Sequence, residues 1–217
     1  MPPLGRFHVL TDETLQTRFS HLDVALLALD GGADAVQYRE KRPLPTRQLV
    51  ATALTIAAVC RGAARTCIVD DRADVAFAAG ADGVHLGRDD LEASHVRRLV
   101  GDRVLIGGTA NSLAEARAAF GTPIDYLGVG PVFGTHSKAN PAPVLGLDLL
   151  RAIAAESPVP VIAIGNIGPE QVAAVLQAGA HGIAVLSGVT CAPDPAAAAA
   201  VYAEALAAWL GSEAGTA

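Results

Sequence analysis

One phrase occurs three times in this sequence: Gly32-Ala33-Asp34-Ala35-Val36, Gly80-Ala81-Asp82-Gly83-Val84 and Gly179-Ala180-His181-Gly182-Ile183. Each copy follows an Ala-rich amphipathic segment and precedes a β-branched apolar run. The glycine can stop a helix by taking the left-handed conformation at C′, and the next strand then starts at once. A chain that returns again and again from helix to buried strand is confined to α/β architectures with parallel strands.

On this basis strands are expected at about 7–12, 35–39, 66–71, 83–87, 104–108, 125–130, 160–165 and 182–187. Helices are expected at about 20–31, 45–61, 73–79, 92–100, 112–120, 147–156, 169–178 and 195–210. Most of the strands are near-continuous apolar runs, as parallel strands covered on both faces require. Ala196–Ala200 reads as part of the last helix because Ala is the best helix former, and 211–217 reads as a frayed tail. Eight strands alternating with eight helices predict one domain, a closed (β/α)8 barrel. An open doubly wound sheet would carry a glycine fingerprint after its first strand, where this chain has Leu10-Thr11-Asp12-Glu13.

The chain has 217 residues, 51% of them hydrophobic, enough for a single large core. Its net charge of -6 offers no basic surface to nucleic acid or an anionic membrane. Cys60, Cys67 and Cys191 are odd in number and lack CxxC spacing, so neither a disulfide framework nor a zinc site is expected. The N-terminus has no charged segment leading into an apolar one, and no apolar run has the length of a bilayer span. These features describe a soluble cytoplasmic protein. Its surface helices show no decisive apolar patch, which leaves self-association into a homo-oligomer open.

Barrel enzymes place their chemistry at the C-terminal ends of the strands. The second strand ends Gln37-Tyr38-Arg39-Glu40-Lys41. Alternation points Gln37, Arg39 and Lys41 into the barrel mouth and Tyr38 and Glu40 away from it. Two cations and an amide on one face suit a polyanion, although a solvated basic turn would have the same letters. The next two strands end Val69-Asp70-Asp71-Arg72 and His85-Leu86-Gly87-Arg88-Asp89-Asp90. Each carboxylate group alone reads as a helix cap. Both together, facing Arg39 and Lys41, favour a hard cation such as Mg²⁺ that bridges to phosphate oxygens.

The fifth strand ends in small polar residues, Gly107-Gly108-Thr109-Ala110-Asn111-Ser112, with Ser112 a natural N-cap. The sixth opens into a long loop from Pro131 to about Leu145, in which Thr135, Ser137 and Lys138 offer hydroxyls and a cation to phosphate. Loops this long in a compact barrel are functional or disordered. Gly165, Asn166 and Gly168 follow strand seven, and Leu186, Ser187 and Gly188 follow strand eight, the common phosphate site of such barrels. His85 and His181 read as structural and Cys67 as core. No Ser–His–Asp set or activated Cys emerges. A metal and polyanion site beside a separate monophosphate site suggests joining a diphosphate-activated group to a phosphorylated acceptor.

From about Phe7 to Leu206 the chain resembles the thiamine-phosphate synthase and thiazole tautomerase superfamily. The resemblance rests on Q-Y-R-E-K (37–41), D-D-R-A-D (70–74), G-V-H-L-G-R-D-D (83–90), G-V-G-P-V-F-G-T-H-S-K (128–138) and A-I-G-N-I (163–167). It implies a (β/α)8 barrel that condenses hydroxymethylpyrimidine diphosphate with a thiazole phosphate, giving thiamine phosphate and pyrophosphate. By position, Gln37 would meet the pyrimidine, and Arg39, Lys41 and Lys138 would hold the diphosphate as the catalytic cations. Asp71 and Asp90 would ligate Mg²⁺. Thr135, Ser137, Asn166 and Ser187, with Leu186 beside it, would border the thiazole phosphate.

Four positions depart from the family pattern. Asp70 stands where Asn is usual near the diphosphate, and Thr109 replaces Ser within the substrate site. Asn111 stands where His is frequent, and Asn166 replaces the second Gly of I-G-G-I. Asn cannot transfer protons at neutral pH, which counts against the tautomerase. A tautomerase, or a barrel that senses a phosphate ligand without turnover, remains an alternative at this level.

Overall fold

In the computed structural model, described for residues 2–135 and 142–214, eight parallel strands close into one barrel in chain order. The strands are β1 (Phe7–Thr11), β2 (Ala35–Tyr38), β3 (Thr66–Asp70), β4 (Gly83–Leu86), β5 (Leu105–Ala110), β6 (Tyr126–Val129), β7 (Val161–Ile164) and β8 (Gly182–Val185). The helices are α1 (His21–Asp30), α2 (Thr46–Gly62), α3 (Ala73–Ala79), α4 (Ala93–Val100), α5 (Leu113–Ala119), α6 (Gly146–Glu156), α7 (Val172–Gln177), α8 (Ser187–Thr190) and α9 (Pro195–Ala214).

The thrice-repeated phrase does what its letters imply. Gly32, Gly80 and Gly179 all have positive φ, at 92°, 60° and 96°, and each stands between a helix and the strand that follows. The acids of the phrase have a second task. Asp34 accepts the backbone N–H of Phe7, and Asp82 accepts that of Cys67, so each ties the start of a neighbouring strand to its own turn. Asp125 does the same for Ile106 without the glycine phrase.

Pairing is parallel throughout, from His8 opposite Ala35 round to Ala163 opposite Ile183 and Phe7 opposite Ile183. The period of two along each strand then sorts residues into two cores. Outward positions such as Val9, Val36, Val69, Val84, Ile106, Leu127 and Ile183 pack against the helices in the larger core. Inward positions Leu10, Ala35, Ile68, Tyr126, Ile162 and Ala184 fill the barrel. The interior admits one large ring because its neighbours are glycines. A Cβ on Gly107 would stand 2.2 Å from Tyr126 Cζ, and one on Gly128 would stand 2.8 Å from His85 Cε1.

Three segments differ from expectation. The helix expected at 169–178 is a 3-10 turn, Pro169–Gln171, followed by α7. The Gly-Ser stretch after β8 is not a loop but the four-residue α8. The last helix runs through Ala214 rather than fraying from Gly211, whose added Cβ would meet nothing within 4 Å. Among the described residues no helix is long and apolar enough to cross a membrane.

His8 shares the barrel interior. It is 1% exposed and gives its Nε2–H to the Leu4 carbonyl at 2.8 Å. Burial is the main reason that its pKa is held down to about 4, against 6.5 for an ordinary imidazole. The unfolded chain therefore binds a proton at this ring below about pH 6.5, and the folded chain does not until about pH 4. Stability must fall as pH drops through that window, by on the order of 3 kcal/mol from this group. Urea midpoints at pH 7.5 and 4.5 for wild type and His8→Gln check this: the variant is expected to lose less stability on acidification. Equal losses would contradict the assignment.

Candidate active site

At the C-terminal rim the inward positions of successive strands become polar and surround a cavity of about 760 Å³. It is lined by Gln37, Arg39 and Lys41 from the end of β2, and by Asp70, Asp71 and Asp90 from the ends of β3 and β4. Thr109 and Asn111 come from β5, Thr135 from the loop after β6, Asn166 from the end of β7, and Leu186 and Ser187 from the end of β8. The fold thus brings together the described residues singled out in the sequence. Ser137 and Lys138 lie outside the described residues.

The β2 side is a lattice of ions. Arg39, 8% exposed, donates from Nη1 to Asp12 Oδ2, and its Nε lies 3.8 Å from Asp70. Asp12 is buried and was not foreseen in the sequence. Its other oxygen accepts the backbone N–H groups of Thr14 at 2.6 Å and Leu15 at 3.1 Å, which holds the turn after β1 in place. Lys41 donates to Asp71 and lies 3.2 Å from Asp70. Burial alone would lower the Lys41 pKa, but the Asp70 and Asp71 carboxylates outweigh it and raise it. Tyr38 and Glu40 point away, as alternation requires. Tyr38 meets the His21 ring edge-on at 4.8 Å, and Glu40 accepts from His21 at 3.2 Å.

The acids are not helix caps. The position before α3 is Arg72 and that before α4 is Glu92, and neither makes a side-chain capping bond. Asp71 instead holds a left-handed backbone with φ 63°, which turns its carboxylate to the rim. Asp90 accepts the Gly87 N–H at 2.6 Å. Its pKa is raised, first by burial and then by the neighbouring charges of Asp71 and Asp70, against the lowering by Gly87. Two carboxylates that meet at one rim are the oxygen donors a hard cation takes, so Asp71 and Asp90 fit Mg²⁺.

The β7–β8 side is built differently. Asn166 has φ 50°, the left-handed region where Asn is the best tolerated residue after Gly. This explains how it can stand at a position of the glycine pattern. Ser187 opens α8, and the Tyr202 hydroxyl donates to the Ile167 carbonyl at 3.0 Å to brace the loop. The helices here, α7 and α8, are short, and Asn166 and Ser187 line the cavity beside Gly165, Gly168 and Gly188.

The floor is a directed chain of hydrogen bonds. The Thr109 hydroxyl donates to the Leu86 carbonyl at 3.0 Å, so it accepts from His85 Nε2 at 2.9 Å. His85 Nδ1, 3.0 Å from the Tyr126 oxygen, is then the acceptor of the phenol proton. Burial keeps Tyr126 protonated by pushing its pKa far up. His85, read from the sequence as structural, thus lines the cavity, and so does His8. Asn111 spends an amide N–H on the Gly130 carbonyl. Ser112 is the expected N-cap, accepting the Glu115 N–H at 3.2 Å.

Among the described residues, the one group of three metal-type ligands lying close together is Glu13, His21 and Glu40, behind the rim. Arg42 lies 2.6 Å from Glu13 and 2.5 Å from Glu40, so the cluster already contains its cation. It fastens the loops after β1 and β2 to one another.

The chain and its fold are shared with known proteins. The family model described as thiamine monophosphate synthase matches residues 7–189. A thiamine-phosphate synthase of Salinibacter ruber is 47% identical over 192 residues, covering 88% of this chain and 84% of its own. That of Chloroflexus aurantiacus is 47% identical over 194 residues, covering 89% of each chain. The solved thiamine phosphate pyrophosphorylase of Pyrococcus furiosus superposes with a TM-score of 0.86 at 36% identity, covering 95% of this chain and 97% of that one. This chain belongs to the thiamine monophosphate synthase family.

Proposed function

We propose that the protein is the thiamine-phosphate synthase of its cell, joining hydroxymethylpyrimidine diphosphate to a thiazole phosphate in the cytoplasm. The observation that carries this reading is the convergence of Gln37, Arg39, Lys41, Asp71 and Asp90 on one side of a cavity whose other side presents Asn166 and Ser187. In the reaction the bond between the pyrimidine methylene carbon and the diphosphate oxygen breaks, and its electron pair leaves with the diphosphate. The thiazole nitrogen then uses its lone pair to form the new C–N bond. No proton has to be removed, so no general base or protein nucleophile is required.

The demand is instead for fixed positive charge where the leaving group develops its own. Arg39 and Lys41 are held for that task by Asp12, Asp70 and Asp71. Mg²⁺ bound by Asp71 and Asp90 would neutralise diphosphate oxygens. Lys138 belongs to the same reading. The cysteines suit bystanders: Cys60 and Cys67 are buried, and burial raises the Cys191 thiol. Asn111, with an amide N–H given to Gly130, is not a proton relay, which argues against the tautomerase.

Thiamine phosphate formed from the two substrates, measured as thiochrome fluorescence after oxidation, tests the proposal. Product that needs both substrates and a divalent cation is expected. No product under any cation would contradict it.

A further inference from the structure

The amide of Gln37 has one orientation that chemistry allows. Its Nε2 lies 2.6 Å from Asp70 Oδ1, and a carboxylate can only accept, so the N–H donates and the orientation is fixed. Asp70 is locked in turn by Lys41 at 3.2 Å and Arg39 at 3.8 Å, both on its other oxygen, Oδ2. Gln37 is 5% exposed and lines the cavity. Its carbonyl oxygen takes no donor from the described residues, and since no buried side-chain oxygen among them lacks a partner, this one is open to the cavity. The floor below has the same polarity. The Tyr126, His85 and Thr109 protons are all directed at protein acceptors, which leaves the Tyr126 and Thr109 oxygens with spare lone pairs.

We propose that Asp70 is a positioning residue that sets the polarity of the ring pocket. By taking the Gln37 N–H it turns the amide oxygen into the cavity as an acceptor. The site then selects a heteroaromatic ring that presents an N–H donor over a ring of the same shape that lacks one. This rests on the synthase reading, since it concerns the ring that carries the diphosphate. An amide at position 70 would release the constraint, because it can donate to the Gln37 oxygen as readily as it accepts from the Gln37 nitrogen.

The test compares the amino-bearing pyrimidine diphosphate with its des-amino analogue in wild type, Asp70→Asn, and the exchange variant Gln37→Glu with Asp70→Asn. The exchange keeps the net charge and the hydrogen bond, and returns an acceptor oxygen to the cavity. Ring electronics alter kcat equally in all three proteins, so the readout is the ratio of KM values, or of calorimetric Kd where turnover is slow. Asp70→Asn is expected to reduce the preference for the amino ring by about tenfold, and the exchange variant to restore it. A general loss of structure would instead weaken both ligands alike. An unchanged ratio in Asp70→Asn, or no restoration by the exchange, overturns the inference while the synthase reading stands. Absence of turnover in wild type overturns both.

Discussion

Arg39→Met is expected to lower kcat/KM by roughly 10³-fold and to destabilise the fold by about 3 kcal/mol. Both effects have one source. Arg39 is the cation on which the buried carboxylate of Asp12 depends, and Asp12 is 1% exposed. Removing the guanidinium leaves that charge with the backbone N–H groups of Thr14 and Leu15 and the Thr14 hydroxyl, which keep the loss near the lower end for a broken buried pair. The same deletion takes away fixed charge facing the leaving diphosphate. Arg39→Lys restores charge without the planar fork and belongs between the two, closer to wild type in stability than in activity. Urea unfolding and steady-state kinetics on the same preparations check the pair. Full stability with lost activity would show that Asp12 does not rely on Arg39.

The second large effect is expected at Asp90. Asn at this position keeps an oxygen for the Gly87 N–H, so the loop bond at 2.6 Å survives. It removes one of the charges that crowd Asp71 and Asp70. The metal-free variant is therefore expected to be no less stable than wild type. What it loses is the response to metal. A ligand present at a hundredfold its Kd stabilises the folded state by about 2.7 kcal/mol, and that gain is expected in wild type and absent in Asp90→Asn. Activity is expected to fall about 100-fold at a fixed Mg²⁺ concentration and to recover in part as Mg²⁺ is raised. Melting curves with and without Mg²⁺ separate this from a structural role. A variant that still gains the full stabilisation would remove Asp90 from the metal site.

The barrel was legible because its grammar is local. The glycine that ends a helix and the apolar run that begins a strand are neighbours in the sequence, and the phrase recurs. The rim was legible for a related reason: alternation along β2 alone separates Gln37, Arg39 and Lys41 from Tyr38 and Glu40, and the structure keeps that division. What escaped depends on closure of the sheet. Asp12 is 27 residues from Arg39, and Tyr126 is 41 from His85, so no window of sequence joins them. His8 reads as one polar letter in an apolar strand, and its place inside the barrel follows only when β1 pairs with both β2 and β8. Each group of Asp residues after β3 and β4 reads alone as a cap and only both together favour a metal; the cap geometry of α3 and α4 removes the capping explanation. Asn166 looked like an intrusion into a glycine pattern, yet its left-handed backbone is one that Asn accepts.

The proposed reaction requires the acids of the rim to recruit a divalent cation to a diphosphate-cleaving, bond-forming site. The most direct test is pyrophosphate release from hydroxymethylpyrimidine diphosphate and thiazole phosphate, titrated with Mg²⁺, for wild type and Asp90→Asn. Release that requires Mg²⁺ in wild type, and in the variant needs far more Mg²⁺ to reach a lower rate, is the predicted result. Release at the same rate after complete removal of divalent cations, or an Asp90→Asn titration that overlays wild type, would contradict it.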